Sequence, residues 1–149
     1  IHNGSNMAIW FKTPSNESLN KVLMNTLASH LGIRVTHIGE DFLVATMPLQ
    51  NNTSEGSGLL HGGASLALAE TLGTVGANAC IDLNNQRCLC MEINANHIAA
   101  VKSGLVTAMA RPVHIGNHSQ VWRVEIRDDD DELVCESRLT LSIVGIDDV

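Results

Sequence analysis

Between Gly62 and Cys80 almost every residue is small or apolar, and the single ionisable side chain in that run is Glu70. A run of this kind reads as a helix apolar on all faces, and such a helix is expected to be buried on all faces. A buried carboxylate is costly unless it is paired or neutralised. No Lys, Arg or His stands three or four residues away, where Leu66, Ala67, Gly73 and Thr74 are found instead. Two readings follow. Glu70 could reach a strand arginine such as Arg111 or Arg138 and only tether the helix. Alternatively, it is a carboxylate kept for nucleophilic or general-base work, with Thr74 one turn on offering a hydroxyl to a water molecule or to the carboxylate itself.

A second feature lies where that helix begins, at Leu59-Leu60-His61-Gly62-Gly63. Two glycines allow a ligand to approach the backbone, and N–H groups of a first helical turn have no acceptor within the helix. That is an oxyanion-binding geometry, one suited to an anion or a carbonyl. His61 could contribute to it or simply cap the helix. His97, in Glu92-Ile93-Asn94-Ala95-Asn96-His97, could line a site or be a satisfied strand histidine. No histidine pair has ligand spacing on an expected helix, so no metal is expected.

The elements that must position these groups are legible from spacing. Asn16 to His30 reads as a first helix, with Ser15 or Asn16 as its cap and Gly32 just beyond its end. Ile33 to Ile38 and Phe42 to Leu49 flank the turn Gly39-Glu40-Asp41 as a hairpin. A polar loop from Gln50 to Gly58 leads to the long helix, His61 to about Asp82. Four strands follow: Arg87 to Ile98, Leu105 to Ile115, Ser119 to Asp128 and Leu133 to Val144. The fold class is therefore α+β, an antiparallel sheet around one long helix.

With 149 residues and 16.0 kDa, the chain suits one domain over residues 7–149, and Ile1 to Asn6 reads as a remnant ahead of a natural start at Met7. A net charge of −7 and the absence of any dense Lys/Arg stretch disfavour nucleic acid as a partner. No stretch is long and apolar enough to span a bilayer, so no membrane is expected and the cytoplasm is the default location. Cys80, Cys88, Cys90 and Cys135 form no C-x-x-C pair and read as core thiols without chemistry. The acidic run Asp128 to Glu132 reads as a solvated hairpin tip.

His61-Gly62-Gly63, followed after six residues by Glu70, resembles the H-G-G-x6-E signature of hot-dog thioesterases. Glu92 to His97 and Gln120-Val121-Trp122 resemble the branch that includes the 1,4-dihydroxy-2-naphthoyl-CoA and enterobactin proofreading thioesterases. The likeness runs over nearly the whole chain from Met7. It implies a hot-dog fold and hydrolysis of an acyl-CoA or aroyl-CoA, hydroxyaryl-CoA included, with no cofactor beyond the CoA of the substrate. Glu70 would be nucleophile or base, the Gly62 N–H would polarise the carbonyl, Thr74 would orient water or carboxylate, and His61, Gly63 and His97 would line the site. Relatives carry Gln where this chain has Glu55, which when ionised has no donor to offer, so either Gln50, Asn51 or Asn52 takes that role through a shifted loop or the donor is lacking. Close relatives also carry a basic residue just after the position of His97, where Ile98-Ala99-Ala100 stands here, so Lys102 and Arg111 become the candidates for CoA phosphates. A 3-hydroxyacyl thioester dehydratase and a non-catalytic acyl-CoA binding module are the competing functions.

Gly62 and Glu70 are eight residues apart, about 12 Å along one helix, whereas a nucleophile and an oxyanion donor must converge on one carbonyl. That spacing predicts sites shared between two chains, and hence a homo-oligomer, a dimer or, as in this branch, a tetramer.

Overall fold

The computed structural model describes residues 8–149; the expected remnant, Ile1 to Asn6, lies outside the described residues. Ser15 opens α1 (Asn16–Leu23) through a reciprocal capping box with Ser18. The expected single helix to His30 is instead two. Met24 is extended and Asn25 adopts a left-handed φ of 58°, a conformation asparagine tolerates, after which Thr26 and Ser29 form a second capping box for α2 (Leu27–His30).

Two strands, β1 (Arg34–Ile38) and β2 (Leu43–Pro48), precede the long helix α3 (Gly62–Ala79). Then come β3 (Gln86–His97), β4 (Leu105–Ile115), β5 (Ser119–Arg127) and β6 (Leu133–Gly145). The six strands form one antiparallel sheet in the order β1-β2-β4-β5-β6-β3, and α3 lies on its inner face in contact with β2 to β6. The period-two alternation of β5 becomes buried Trp122, Val124 and Ile126 beneath the helix, with Arg123 on the outer face.

Helix α3 is not buried on all faces. Its buried residues, Ala64, Ser65, Leu68, Ala69, Leu72, Gly73, Gly76 and Ala77, form a single stripe against the sheet, while Glu70 is exposed and Thr71 and Thr74 are partly so. The all-apolar appearance misleads because Leu66, Ala67 and Val75 on the far face are apolar yet only partly covered. Gly76 shows the value of small residues on the near face: a β-carbon there would stand 2.8 Å from the Trp122 ring. The Trp122 indole N–H donates to the buried Gln120 carboxamide oxygen (2.8 Å), and Gln120 donates to the Ala77 carbonyl (3.2 Å), tying β5 to the helix.

The two edge strands differ. On β1, five residues long, Asn20 both donates to the Val35 carbonyl and accepts the Val35 N–H, and Asn16 donates to the Thr36 carbonyl. On β3, twelve residues long, Asn78 does the same at Cys88 alone. Beyond Cys88 no strand among the described residues pairs with the outer edge, and Leu89 and Met91 are 42% and 68% exposed.

Candidate active site

The loop ahead of α3 is closed by a bridge between Ser54 and Leu60 and by the His61 N–H donating to the Thr53 carbonyl (2.8 Å). These contacts deliver His61 as the cap of α3. Its Nδ1 accepts the Gly63 N–H at 2.8 Å, so the capping alternative for His61 is realised and the Gly63 N–H is occupied. The next two amides, of Ala64 and Ser65, both turn to the His61 carbonyl. That leaves the Gly62 N–H, which has no acceptor among the described residues.

Gly62 faces a cavity of about 280 Å³ that it lines together with Glu55, Ser65, His97 and Ala99. The imidazole of His97 rests directly over Gly62. Glu55 is also there, its carboxylate accepting the Ser57 hydroxyl, whereas Gln50, Asn51 and Asn52 do not line the cavity. Lys102 is exposed, next to Val101 of the cavity wall. Arg111 is elsewhere: it alternates with buried Ala110 on β4 and so sits on the sheet face opposite α3, paired to Asp41 (3.1 Å) with its guanidinium 4.6 Å from the Phe42 ring centroid. The chain does not bring Arg111 to this cavity.

Glu70 does not line the cavity either. It makes no ion pair among the described residues, which removes the reading of Glu70 as a tether to Arg111 or Arg138. Its neighbour across the helix–sheet junction is Cys90 of β3: burial and then the Glu70 charge beside it push the Cys90 thiol up, which keeps it protonated. Thr74, one turn on, has its hydroxyl buried with no partner among the described residues. Sequence reasoning missed both Cys90 and Ser65. Cys90 carries no signal in a strand of mixed residues, and Ser65, 4% exposed, could have been found from its place one turn after Gly62.

His114 and His118 are four residues apart but flank the β4–β5 turn, and no group of three His, Cys, Asp or Glu among the described residues could hold a metal ion. No described helix is long and apolar enough to cross a membrane.

The sheet curled on a single long helix, with the two glycines at the start of that helix, is matched from outside this chain. The sequence pattern of the thioesterase superfamily fits residues 57–135. The chain belongs to the thioesterase superfamily. A solved thioesterase of Haemophilus influenzae superposes on this superfamily member with a TM-score of 0.90 at 43% identity, covering 93% of this chain and 96% of that one. The 1,4-dihydroxy-2-naphthoyl-CoA hydrolase of Escherichia coli is 42% identical over 136 residues, 91% of this chain and 99% of that protein. The proofreading thioesterase EntH of Cronobacter turicensis is 42% identical over 137 residues, 92% and 99% respectively. The hot-dog arrangement expected from the signature is thus the fold of this thioesterase.

Proposed function

We propose that this thioesterase hydrolyses an acyl-CoA or aroyl-CoA, hydroxyaryl-CoA among the candidates, to the free acid and CoA. The observation that carries the reading is the division of α3: a free Gly62 N–H in the cavity under His97, and an exposed, unpaired Glu70 outside it. The Gly62 N–H stabilises the oxyanion that forms as the carbonyl carbon is attacked. Either the Glu70 carboxylate attacks and the resulting anhydride is opened by water, or Glu70 takes a proton from water as that water attacks. In both routes the C–S bond breaks and its electron pair leaves with the CoA thiolate. Thr74, with a free hydroxyl, orients the water or the carboxylate, and Lys102 meets a CoA phosphate.

The two halves come from two chains. The outer edge of β3 beyond Cys88 lies open and presents exposed Leu89 and Met91, a surface suited to antiparallel pairing with the same strand of a second copy. Such pairing sets α3 of one chain beside the antiparallel α3 of the other, so that Glu70 of each faces Gly62 of its partner. A tetramer is two such pairs.

The test mixes two inactive variants. Glu70→Ala removes the carboxylate. Gly62→Pro removes the N–H at the first helical position, where proline is tolerated, and His61 already has the extended backbone (φ −68°, ψ 131°) that a following proline requires. After subunit exchange, activity returns through one intact site per mixed pair. If both variants stay folded and the exchanged mixture stays inactive, the shared site is wrong. Oxygen-18 from solvent in a first single turnover separates the general-base route from a nucleophilic route in which water opens the anhydride at the Glu70 carbonyl: the label enters the acid in the first and the enzyme carboxylate in the second.

A further inference from the structure

Strand β3 passes beside α3 in the opposite sense and is anchored to it at both ends. Asn78 of the helix accepts the Cys88 N–H (3.0 Å) and donates to the Cys88 carbonyl (3.2 Å), while His97, at the far end of the strand, rests over Gly62. Glu70 on the helix and Cys90 on the strand lie between those anchors. Side chains of a regular strand alternate, so one that turned Cys88 and Cys90 towards the helix would turn Glu92, Asn94 and Asn96 the same way and His97 to the opposite face. A bulge prevents this. Cys90 pairs with Leu141 and Glu92 with Thr140, which leaves Met91 as an extra residue in the register. The alternation restarts one residue late, so that Ile93 and Ala95 pack on the core as Cys88 and Cys90 do. One strand thereby presents Cys90 to Glu70 and His97 to Gly62.

A carboxylate that is to meet a carbonyl must be held in one orientation, and a free glutamate side chain has several rotamers open to it. No ion pair among the described residues holds Glu70, and the Thr74 hydroxyl one turn on bonds to nothing there. The polar group beside it is the half-buried Cys90 thiol, which burial and the Glu70 charge keep protonated. That single proton has two acceptors in reach, the Glu92 carbonyl at 3.6 Å from Sγ and the Glu70 carboxylate. The charged acceptor makes the stronger bond. We propose that Cys90 is a positioning residue: its S–H donates to the Glu70 carboxylate and fixes the orientation in which that carboxylate attacks the carbonyl or takes a proton from water, and the bulge at Met91 is what brings Cys90 there. Cys90 forms no bond to the acyl group and acts through Glu70 alone. The proposal rests on the reading of Glu70 as the reacting carboxylate.

The experiment measures kcat and KM with benzoyl-CoA in the unaltered protein, in Cys90→Ala, in Cys90→Ser, in Glu70→Gln and in the Glu70→Gln/Cys90→Ala double variant. Cys90→Ala is expected to lower kcat by about tenfold and to leave KM within about twofold of the parent. Cys90→Ser keeps a donor on a side chain of similar size and is expected to recover most of the loss. With the reacting carboxylate already gone in Glu70→Gln, Cys90→Ala should add no further loss. An unchanged kcat in Cys90→Ala overturns the proposal, as does an equal loss in Cys90→Ala and Cys90→Ser, or the whole loss recurring on top of Glu70→Gln. Failure of the underlying reading shows separately, as Glu70→Gln turning over at the unaltered rate. The S–H stretching band of Cys90, isolated as the infrared difference between the unaltered protein and Cys90→Ala, then still reads the contact. A band that moves to higher frequency in Glu70→Ala supports the hold of Cys90 on Glu70, and a band in the same place in both proteins refutes it.

Discussion

The imidazole of His97 lies against the α-carbon of Gly62, so close that a β-carbon on Gly62 would stand 3.2 Å from Nε2. Gly62→Ala therefore displaces His97 by a few tenths of an ångström or shifts the helix start, although the Gly62 N–H itself survives. Misplacement on this scale in a site that must hold a carbonyl is expected to cost about tenfold or more in kcat. Stability moves the other way, since alanine is favoured over glycine in a helix by up to about 1 kcal/mol. Steady-state kinetics beside a thermal melt checks both; an unchanged rate would show that the His97 contact is irrelevant to turnover.

Glu70→Gln should lower kcat by at least about a hundredfold while the melting temperature stays within a degree or two of the parent. The reason for the second half is structural: Glu70 is exposed within the chain and holds no ion pair that the amide would break. Retention of the parental rate would remove Glu70 from the chemistry.

Glu55 lines the cavity at Gly62 with a group that only accepts hydrogen bonds when ionised. Glu55→Gln supplies an N–H there and is expected to leave kcat/KM unchanged or to raise it. A loss of about a hundredfold would assign Glu55 a catalytic role that no contact in the structure suggests.

Gly76→Ala places a methyl group 2.8 Å from the Trp122 ring, which is fixed by its bond to Gln120 and stacked on Trp10 at 6.4 Å. The ring cannot yield cheaply, so the cost is expected at about 1–3 kcal/mol. Chemical denaturation reads it directly as a lower midpoint.

The buried thiols set an alkaline limit. Burial, with Cys88 beside it, pushes Cys80 up to about 12 from an ordinary 9.0, and burial raises Cys88 to about 11. As the pH rises above 9.0, the unfolded chain loses these protons while the native chain keeps them, so stability falls through the window up to about 11 and 12. Melting temperatures taken between about pH 8 and pH 11 should decline more steeply for the parent than for a Cys80→Ala/Cys88→Ala double variant; parallel curves would refute the assignment.

The order of elements was legible because strands such as β5 and β6 alternate and the long helix is framed by glycines and a polar loop. The H-G-G run and Glu70 stood out because a carboxylate is conspicuous among alanines. What escaped the sequence has physical causes. Small residues conceal which face of a helix is covered, so Glu70 read as buried when it is exposed. The break at Asn25 depends on one left-handed residue that propensity does not single out. The approach of Cys90 to Glu70 and the position of Arg111 on the far sheet face are tertiary facts with no local pattern behind them.

On the pairing proposed above, the unequal treatment of the two sheet edges would limit how many copies join along the sheet. On β1 the Asn20 and Asn16 side chains occupy the backbone groups that another strand would need, while most of β3 is left available. A sheet that can be extended at one margin only joins a second copy and stops, because the pair exposes two blocked margins. A sheet extendable at both would go on adding copies without limit. On that pairing, Asn20 is a chain terminator in the polymer sense: the five-residue strand it guards would end growth at closure and not in a fibre.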